Sequence, residues 1–491
     1  MADTVHFLAL DLGAESGRGE VITLADGRVS MEEVHRFANR PVRLAGTLYW
    51  DFPSLYAETL EAMRICAQRG VALTSLSVDT WGVDFGLVAA DGALLGNPVH
   101  YRDARTEGIH EYSNAKMTTD EIFAQTAYEP WAIASLFQLL ALQRADSPLL
   151  GAANAFLNMP DLFTYYLTGE RRNEMSVLNT SNLLATDCTW CEEVIRRFDL
   201  PRGIFGQIVE PATVIGPLAA GVREQTGLGD VPVIATCGHD TSAAVAAVPA
   251  RGDDWAYLSS GTWSILGCML AEPIATPQCL QLGFTNEYTY GGWYLARNIL
   301  GLWLVQELRR KWDVASDVWD YPRMAAAAGE ADGQGGPLID AADESLLAPA
   351  DMEEALRTLI RNTGQAEPDD RGTLVRCVLE SLALEYNHRL EALAELTGRK
   401  PKALYVVGGG IRNTLLCQLT ADACGIVVHA GADQCTALGN ALGQALAMGI
   451  LKDRDEIREV MRASSEIITY EPRDEALWQH KRDQYAGLQG R

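Results

Sequence analysis

Two segments of this chain carry glycine, hydroxyl and acidic residues in the pattern of a ligand-holding turn. The first, Asp11-Leu12-Gly13-Ala14-Glu15-Ser16-Gly17-Arg18, follows an apolar run at residues 5–10. Gly13 and Gly17 let the backbone turn sharply and approach a ligand closely. Ser16 adds a hydroxyl, and successive N–H groups in such a turn make a nest for an anion. Asp11 at the end of the run suits Mg2+ bound through water, since that ion keeps several of its waters. An ordinary hairpin turn would need the same residues. The second segment, Ser259-Ser260-Gly261-Thr262, offers similar donors in the other half of the chain. Two such turns could clamp a polyphosphate from both sides.

Three further segments invite chemistry. Gly408-Gly409-Gly410 lies between an apolar run and a helical pattern, where bare backbone could meet a flat ring or a ribose. It matches neither the G-x-G-x-x-G nor the G-x-x-x-x-G-K-[ST] phosphate loop, and a tight packing turn would read the same way. His239-Asp240-Thr241 directly follows an apolar run. An Asp there can act as general base on a hydroxyl, or Asp240 and Thr241 can simply begin a helix. Asp79-Thr80-Trp81-Gly82-Val83-Asp84-Phe85 sets an indole beside glycine and carboxylates, a pattern suited to a sugar and equally to a core tryptophan. Two polar stretches stay open at this level. Asn298 precedes an apolar helical run and would ordinarily be a cap, and residues 100–105 read as a solvated loop.

The elements that must position these residues alternate. Strand patterns at 5–10, 19–24 and 29–37 form a meander with a tight turn at Asp26-Gly27. Helical and strand patterns then alternate up to a strand at 231–236, which implies α/β layers. Strand, glycine turn and strand recur at 255–270. We therefore expect two similar halves meeting near residue 250. A long amphipathic helix over 373–396, strands at 404–407 and 426–429 and a small-residue helix from 437 complete the second half. A glycine-rich loop is expected over 329–336, and the last forty residues read as a polar helical appendage.

Length and charge bound the rest. The 491 residues exceed what one core of about 250–300 residues supports. A net charge of −25 repels nucleic acid and anionic membranes, so neither is expected as a partner. The same charge repels nucleotides, so a nucleotide site would need local N–H groups, a metal ion or a placed Arg. Ten sparse cysteines and an N-terminus without a basic n-region predict a reducing, cytoplasmic setting. Cys188-Thr189-Trp190-Cys191 has redox or half-zinc spacing, but no second pair of ligands accompanies it.

Taken in order, LDLGAESGR at 10–18, VDTWGVDF at 78–85, VHYRDART at 99–106, HDT at 239–241, YLSSGTWS at 257–264, RNILGLWLVQ at 297–306, VGGG at 407–410 and ADACG at 421–425 resemble the FGGY carbohydrate kinases, and among them the 6-deoxyketose branch. The resemblance spans nearly the whole chain. It implies two actin-like (ribonuclease-H-like) α/β ATPase domains flanking a cleft, at 1–248 on the sugar side and 249–452 on the ATP side, followed by the appendage at 453–491. It implies transfer of the ATP γ-phosphoryl to O1 of L-rhamnulose, with L-fuculose the nearest alternative ketose, by a monomer or homodimer. On that resemblance Asp240 is the base; Gly82, His239, Asp240, Thr241 and Asn298 line the ketose. Ala14, Glu15, Ser16, Gly17, Arg18, Thr262, Gln306 and Gly409 bind ATP, and Asp11 holds Mg2+. Glu15 departs from the small or hydroxyl residue usual in that turn, and a carboxylate there repels polyphosphate unless it points outward. Actin-like folds also serve as nucleotide-operated scaffolds or chaperones, but a scaffold needs neither the 81–85 segment nor a base at a strand end.

Overall fold

Within Val5–Leu12, Phe7–Leu10 and Leu12 are buried, as the middle of a central strand covered on both faces must be. It pairs antiparallel with Ser16–Ala25 through the turn at 13–15 and parallel with Leu73–Thr80. The computed structural model describes residues 4–314, 316–331 and 335–489. These divide into two compact units.

The first unit comprises 1–248, 270–295 and 434–464. Its six-stranded sheet runs in the order Thr213–Pro217, Pro232–Ala235, Leu73–Thr80, Val5–Leu12, Ser16–Ala25, Arg28–Ala38. The last strand is exposed or half-buried except at Val34 and Phe37, as an edge strand with one wet face can be. The helix Cys435–Ala447 packs on this sheet and on the helix Asp240–Ala246. Its small residues make that approach possible. A Cβ on Gly439 would lie 2.0 Å from the Ala243 carbonyl oxygen, and one on Gly443 would lie 1.8 Å from the Tyr290 hydroxyl.

The second unit comprises 249–269, 296–433 and 465–491. Its strands follow the order Ile468–Tyr470, Val427–Ala430, Ala403–Val407, Trp255–Ser260, Trp263–Leu270, then the end of Gly292–Leu300. The plan repeats that of the first unit. An antiparallel hairpin has a parallel strand beside its first member, and the opposite edge is antiparallel. The expected α/β architecture of two similar halves is what the chain adopts.

Two helices, Thr119–Thr126 and Ser135–Arg144, lie on either side of Pro130. Several local expectations change. The last forty residues are not an appendage. Arg454–Ser464 belongs to the first unit, and Ile468–Tyr470 pairs with Val427–Ala430 in the second. On the helix Glu475–Ala486, Trp478, Lys481 and Tyr485 are buried, with Lys481 Nζ donating to Glu380 and Tyr485 OH to Glu385 Oε2. Of the loop expected at 329–336, Gly329 lies in the helix Tyr321–Glu330 and residues 332–334 lie outside the described residues. All ten cysteines are free thiols. Among the described residues no helix is long and apolar enough to cross a membrane.

Candidate active site

In the first unit the turn is tighter than its sequence suggested. Only residues 13–15 leave the ladder, while Ser16, Gly17 and Arg18 already belong to a strand. Gly13 N donates to Ser16 O at 2.9 Å. Asn39, which the motif reading missed, pins the turn from outside. Its Nδ2 donates to Gly13 O at 3.0 Å and its backbone N to Glu15 O at 3.0 Å. Nothing in the local sequence marks Asn39, because the contact forms only when the third strand folds alongside. Glu15 is exposed and joins the turn through its carbonyl, and Ala14 is half-buried beside it. Gly17 is needed for packing, since a Cβ there would fall 2.2 Å from the Phe37 ring. Arg18 Nη1 donates to Gln434 Oε1 at 3.4 Å.

Behind the turn lies a group of carboxylates. Asp11 stands opposite Asp79 in the parallel ladder. Burial, then the charge of Asp240, pushes Asp11 up to about 6. Asp79 has no exposed surface and is pushed well above the carboxylate range by burial and by Asp11. Asn440 Nδ2 donates to Asp79 Oδ2 at 2.6 Å, which leaves Oδ1 buried without a partner. Gln444 holds Asn440 in place, donating to its Oδ1 at 2.8 Å and to Leu8 O at 3.0 Å. An orphaned buried carboxylate oxygen beside a second raised carboxylate is chemistry that a divalent cation would satisfy. No group of three or more His, Cys, Asp or Glu among the described residues is arranged to hold a metal directly. Two carboxylates such as Asp11 and Asp79 suit an ion that keeps most of its waters, as Mg2+ does.

Gly238-His239-Asp240 approaches from the end of Pro232–Ala235. Thr80 N donates to Gly238 O and Gly238 N to Glu174 Oε2, both at 2.9 Å. A Cβ on Gly238 would stand 2.9 Å from Pro160 and 3.0 Å from Glu174, so glycine lets the chain pass here. His239 is the cap and Asp240 the first residue of the helix Asp240–Ala246. The cap expected of Asp240 or Thr241 is therefore displaced by one residue. Asp240 Oδ1 accepts from Thr241 N at 2.6 Å and Thr241 Oγ1 at 3.2 Å, and His239 Nε2 lies 3.4 Å from the same oxygen. All three contacts fall on Oδ1, so Oδ2 stays uncommitted on a side chain 30% exposed. Burial pushes Asp240 up, against the lowering effect of His239 and of the Thr241 donors.

Gly82 is also brought to this unit, packed so that a Cβ would meet Thr180 at 2.9 Å. Its neighbours behave differently from the sugar platform their sequence suggested. Trp81 is buried, and Asp84 accepts from Trp50 Nε1 at 2.6 Å, Trp81 Nε1 at 3.0 Å, Tyr101 N at 3.2 Å and Gln138 Nε2 at 2.8 Å. Burial holds Asp84 up at about 6. With both oxygens engaged, Asp84 serves the core. His100 is buried as well and stacks on Trp50, with ring centroids 3.9 Å apart, so the 100–105 stretch is not a solvated loop.

The second unit carries Thr262, Asn298, Gln306 and Gly409. Gly261 and Thr262 form the turn of its hairpin, with Gly261 N donating to Trp263 O at 3.0 Å. Leu302 N and Trp303 N donate to the carbonyls of Gly261 and Thr262 at 2.9 and 3.0 Å. That seats the helix Trp303–Trp312, which bears Gln306, on the turn. Asn298 lies in the strand Gly292–Leu300 and is no helix cap. Gly408 has φ +82°, a left-handed conformation that favours glycine. A Cβ on Gly410 would lie 2.0 Å from Ser260 Oγ, whereas Gly409 is exposed with open space above it. A short turn, Gly409–Arg412, separates the glycines from the helix Thr414–Cys424, whose cap is Asn413.

Residues 6–247 match the N-terminal domain, and 256–448 the C-terminal domain, of the FGGY family of carbohydrate kinases. The chain belongs to this family. It is 40% identical over 475 residues to a rhamnulokinase of Bacteroides thetaiotaomicron, covering 96% of this chain and 97% of that one. A rhamnulokinase of Enterococcus faecalis is 36% identical over 478 residues, covering 96% and 95%. The fold is similar to a gluconate kinase of Lactobacillus acidophilus at a TM-score of 0.84 and 16% identity, covering 99% and 97%. It is also similar to a Plasmodium falciparum glycerol kinase with ADP at a TM-score of 0.81 and 15% identity, covering 99% and 97%. As a member of the FGGY kinases, the chain is an ATP-dependent sugar kinase, which sets aside the scaffold alternative.

Proposed function

We propose that the chain transfers the γ-phosphoryl group of ATP to O1 of L-rhamnulose, giving ADP and L-rhamnulose 1-phosphate, with Asp240 as general base. Full-length similarity to two rhamnulokinases supports the substrate. The observation that carries the chemistry is Asp240, whose Oδ1 is engaged by Thr241 and His239 while Oδ2 is left to accept a proton.

Phosphoryl transfer passes through a loose transition state and depends on alignment and charge neutralisation. Asp240 Oδ2 accepts the O1 proton as the hydroxyl attacks. Gly82, His239, Thr241 and Asn298 contribute to holding the ketose, with Gly82 allowing close approach for want of a side chain. Around the turn at Ala14–Arg18, Ala14 and Glu15 have backbone N–H groups outside the strand ladder, and the Glu15 side chain is exposed. Thr262, Gln306 and Gly409 hold the nucleotide, Gly409 by presenting bare backbone. Asp11 and Asp79 would hold Mg2+, which neutralises phosphate charge when bound. The family's ATP chemistry and the free cysteines suit a cytoplasmic setting.

A panel of ketoses assayed for ATP-dependent ADP release tests the reading. We expect the highest kcat/KM with L-rhamnulose, a lower value with L-fuculose, and phosphorus on O1 of the product. A ketose preferred over L-rhamnulose, or ATP turnover that ignores added ketose, overturns it.

A further inference from the structure

His239 stands between two carboxylates. Its Nδ1 lies 3.0 Å from Glu287 Oε2 and its Nε2 lies 3.4 Å from Asp240 Oδ1. A neutral imidazole carries one N–H, so a carboxylate facing each nitrogen favours the doubly protonated ring. Glu287 comes from the strand Thr285–Thr289 and its side chain is only 6% exposed. It is held in turn, because Tyr294 OH donates to the same Oε2 at 2.6 Å and Ser242 Oγ lies 2.9 Å from that hydroxyl. Ser242 sits on the helix that Asp240 begins, so the hydrogen-bonded chain closes back on the helix carrying the base.

We propose that Glu287 is a positioning residue for phosphoryl transfer: by engaging His239 Nδ1 it fixes the imidazole as a donor on both sides and keeps a positive charge against Asp240 Oδ1. Oδ1 is then committed and Oδ2 stays ionised and free for the substrate proton. The proposal rests on the reading of Asp240 as base. Burial alone would push His239 toward the neutral form, but Glu287, then Asp240 and Glu174, outweigh it and raise the group. These three carboxylates are the charged groups facing the ring: Glu287 from its strand, Asp240 from the helix, and Glu174 from the segment whose side chain binds Gly238 N. Glu174 is already saturated by Ser176 Oγ, Ser176 N, Val177 N and Gly238 N, which leaves Glu287 as the partner that sets the ring. A nearby cation favours an ionised carboxylate. Losing it makes Asp240 harder to ionise; the direct repulsion between Glu287 and Asp240 is the smaller effect and acts the other way, so the acid side of the turnover profile should move to higher pH.

The experiment compares Glu287→Gln, Tyr294→Phe and Asp240→Asn in the full chain, measuring kcat and KM for the ketose across pH, with thermal melting to verify folding. For Glu287→Gln we expect kcat to fall at least about tenfold, the range seen when a partner orienting a histidine is removed. Ketose KM should change less than about threefold, and the acid limb of kcat should rise by about one pH unit. Tyr294→Phe, which leaves Glu287 in place with one donor fewer, should move the limb the same way by a smaller amount. An unshifted limb in both variants overturns the proposal, and so does a Glu287→Gln effect confined to KM. If Asp240→Asn loses turnover while the limb stays put, the base stands and the positioning role fails. If Asp240→Asn keeps wild-type kcat, the underlying assignment of the base fails and this inference with it.

Discussion

The two hairpin turns are built alike and furnished differently. Each closes with an N–H of its glycine bonded to the returning strand, Gly13 to Ser16 and Gly261 to Trp263. Each first strand has a parallel partner, Leu73–Thr80 in one unit and Ala403–Val407 in the other. Beneath the first turn lie Asp11, Glu20 and Asp79, carboxylates raised by burial, with the charge of Asp11 raising the other two further. Beneath the second lie hydroxyls and bare backbone. Ser264 Oγ sits 2.8 Å from Tyr386 OH, and Gly410 passes over Ser260. One plan has therefore diverged into an acidic floor suited to a cation and a base, and a neutral cradle suited to an anion. Charge, more than backbone path, distinguishes the roles.

The sharpest way to break this contrast is Asp240→Asn, which removes a base from the acidic unit only. The amide keeps the shape and cannot accept the proton, so kcat should fall about 10²–10⁴-fold with ATP binding retained. Steady-state kinetics with nucleotide titration measures it, and a kcat within about threefold of wild type would falsify the assignment.

Next in size is the packing of the neutral cradle. Gly410→Ala places a Cβ 2.0 Å from Ser260 Oγ and 2.5 Å from its Cβ, and should cost about 1–3 kcal/mol and raise KM for ATP. Gly13→Ala meets only Ser16 O at 3.4 Å, so its stability cost should stay within about 0.5 kcal/mol. Denaturant unfolding of both variants checks the difference; equal costs would mean the two turns are packed alike.

Glu20 sharpens the electrostatic half of the comparison. It is 2% exposed with Oε2 unpartnered, and burial, then Asp11, raises it from 4.5 to about 7. A carboxyl with a raised folded-state value binds its proton more tightly when folded. Its stabilising contribution is present below about pH 4.5 and is lost as pH rises through about 7. Glu20→Gln should therefore be more stable than wild type at pH 8, by about 1–2 kcal/mol. The gap should close near pH 4.5. A gap of the same size at both pH values would point to packing instead. The smallest effect belongs to Thr262→Ala on the exposed second turn. Loss of one hydroxyl contact, about 1 kcal/mol, should raise KM for ATP about fivefold and leave ketose KM unchanged. An unchanged ATP KM would remove Thr262 from the nucleotide site.

What the sequence disclosed was local. Strand, glycine turn and strand announce themselves twice because hairpins are short-range, and the small-residue helix Cys435–Ala447 reads as close-packed from its composition. Asp84 and Trp81 left both readings open because a carboxylate beside an indole looks the same whether it meets a sugar or, as here, is saturated by Trp50 and Gln138. Glu287 and Asn440 gave no signal. Their partners, His239 and Asp79, lie far away along the chain, and only tertiary folding brings them together.

The chain passes from one compact unit to the other five times, at 248–249, 269–270, 295–296, 433–434 and 464–465. This order has a consequence during synthesis. When the ribosome has completed residue 248, the acidic unit still lacks the strand bearing Glu287 and the helix bearing Asn440 and Gln444. At about 5–20 residues per second, the interval until residue 464 emerges is roughly 10–40 s. Until the helix Cys435–Ala447 emerges, late in that interval, Asp79 has no Asn440 to bond and the Leu8 carbonyl has no Gln444. The nascent first unit should stay open to protease, acquiring resistance as a step once the helix Cys435–Ala447 has left the exit tunnel.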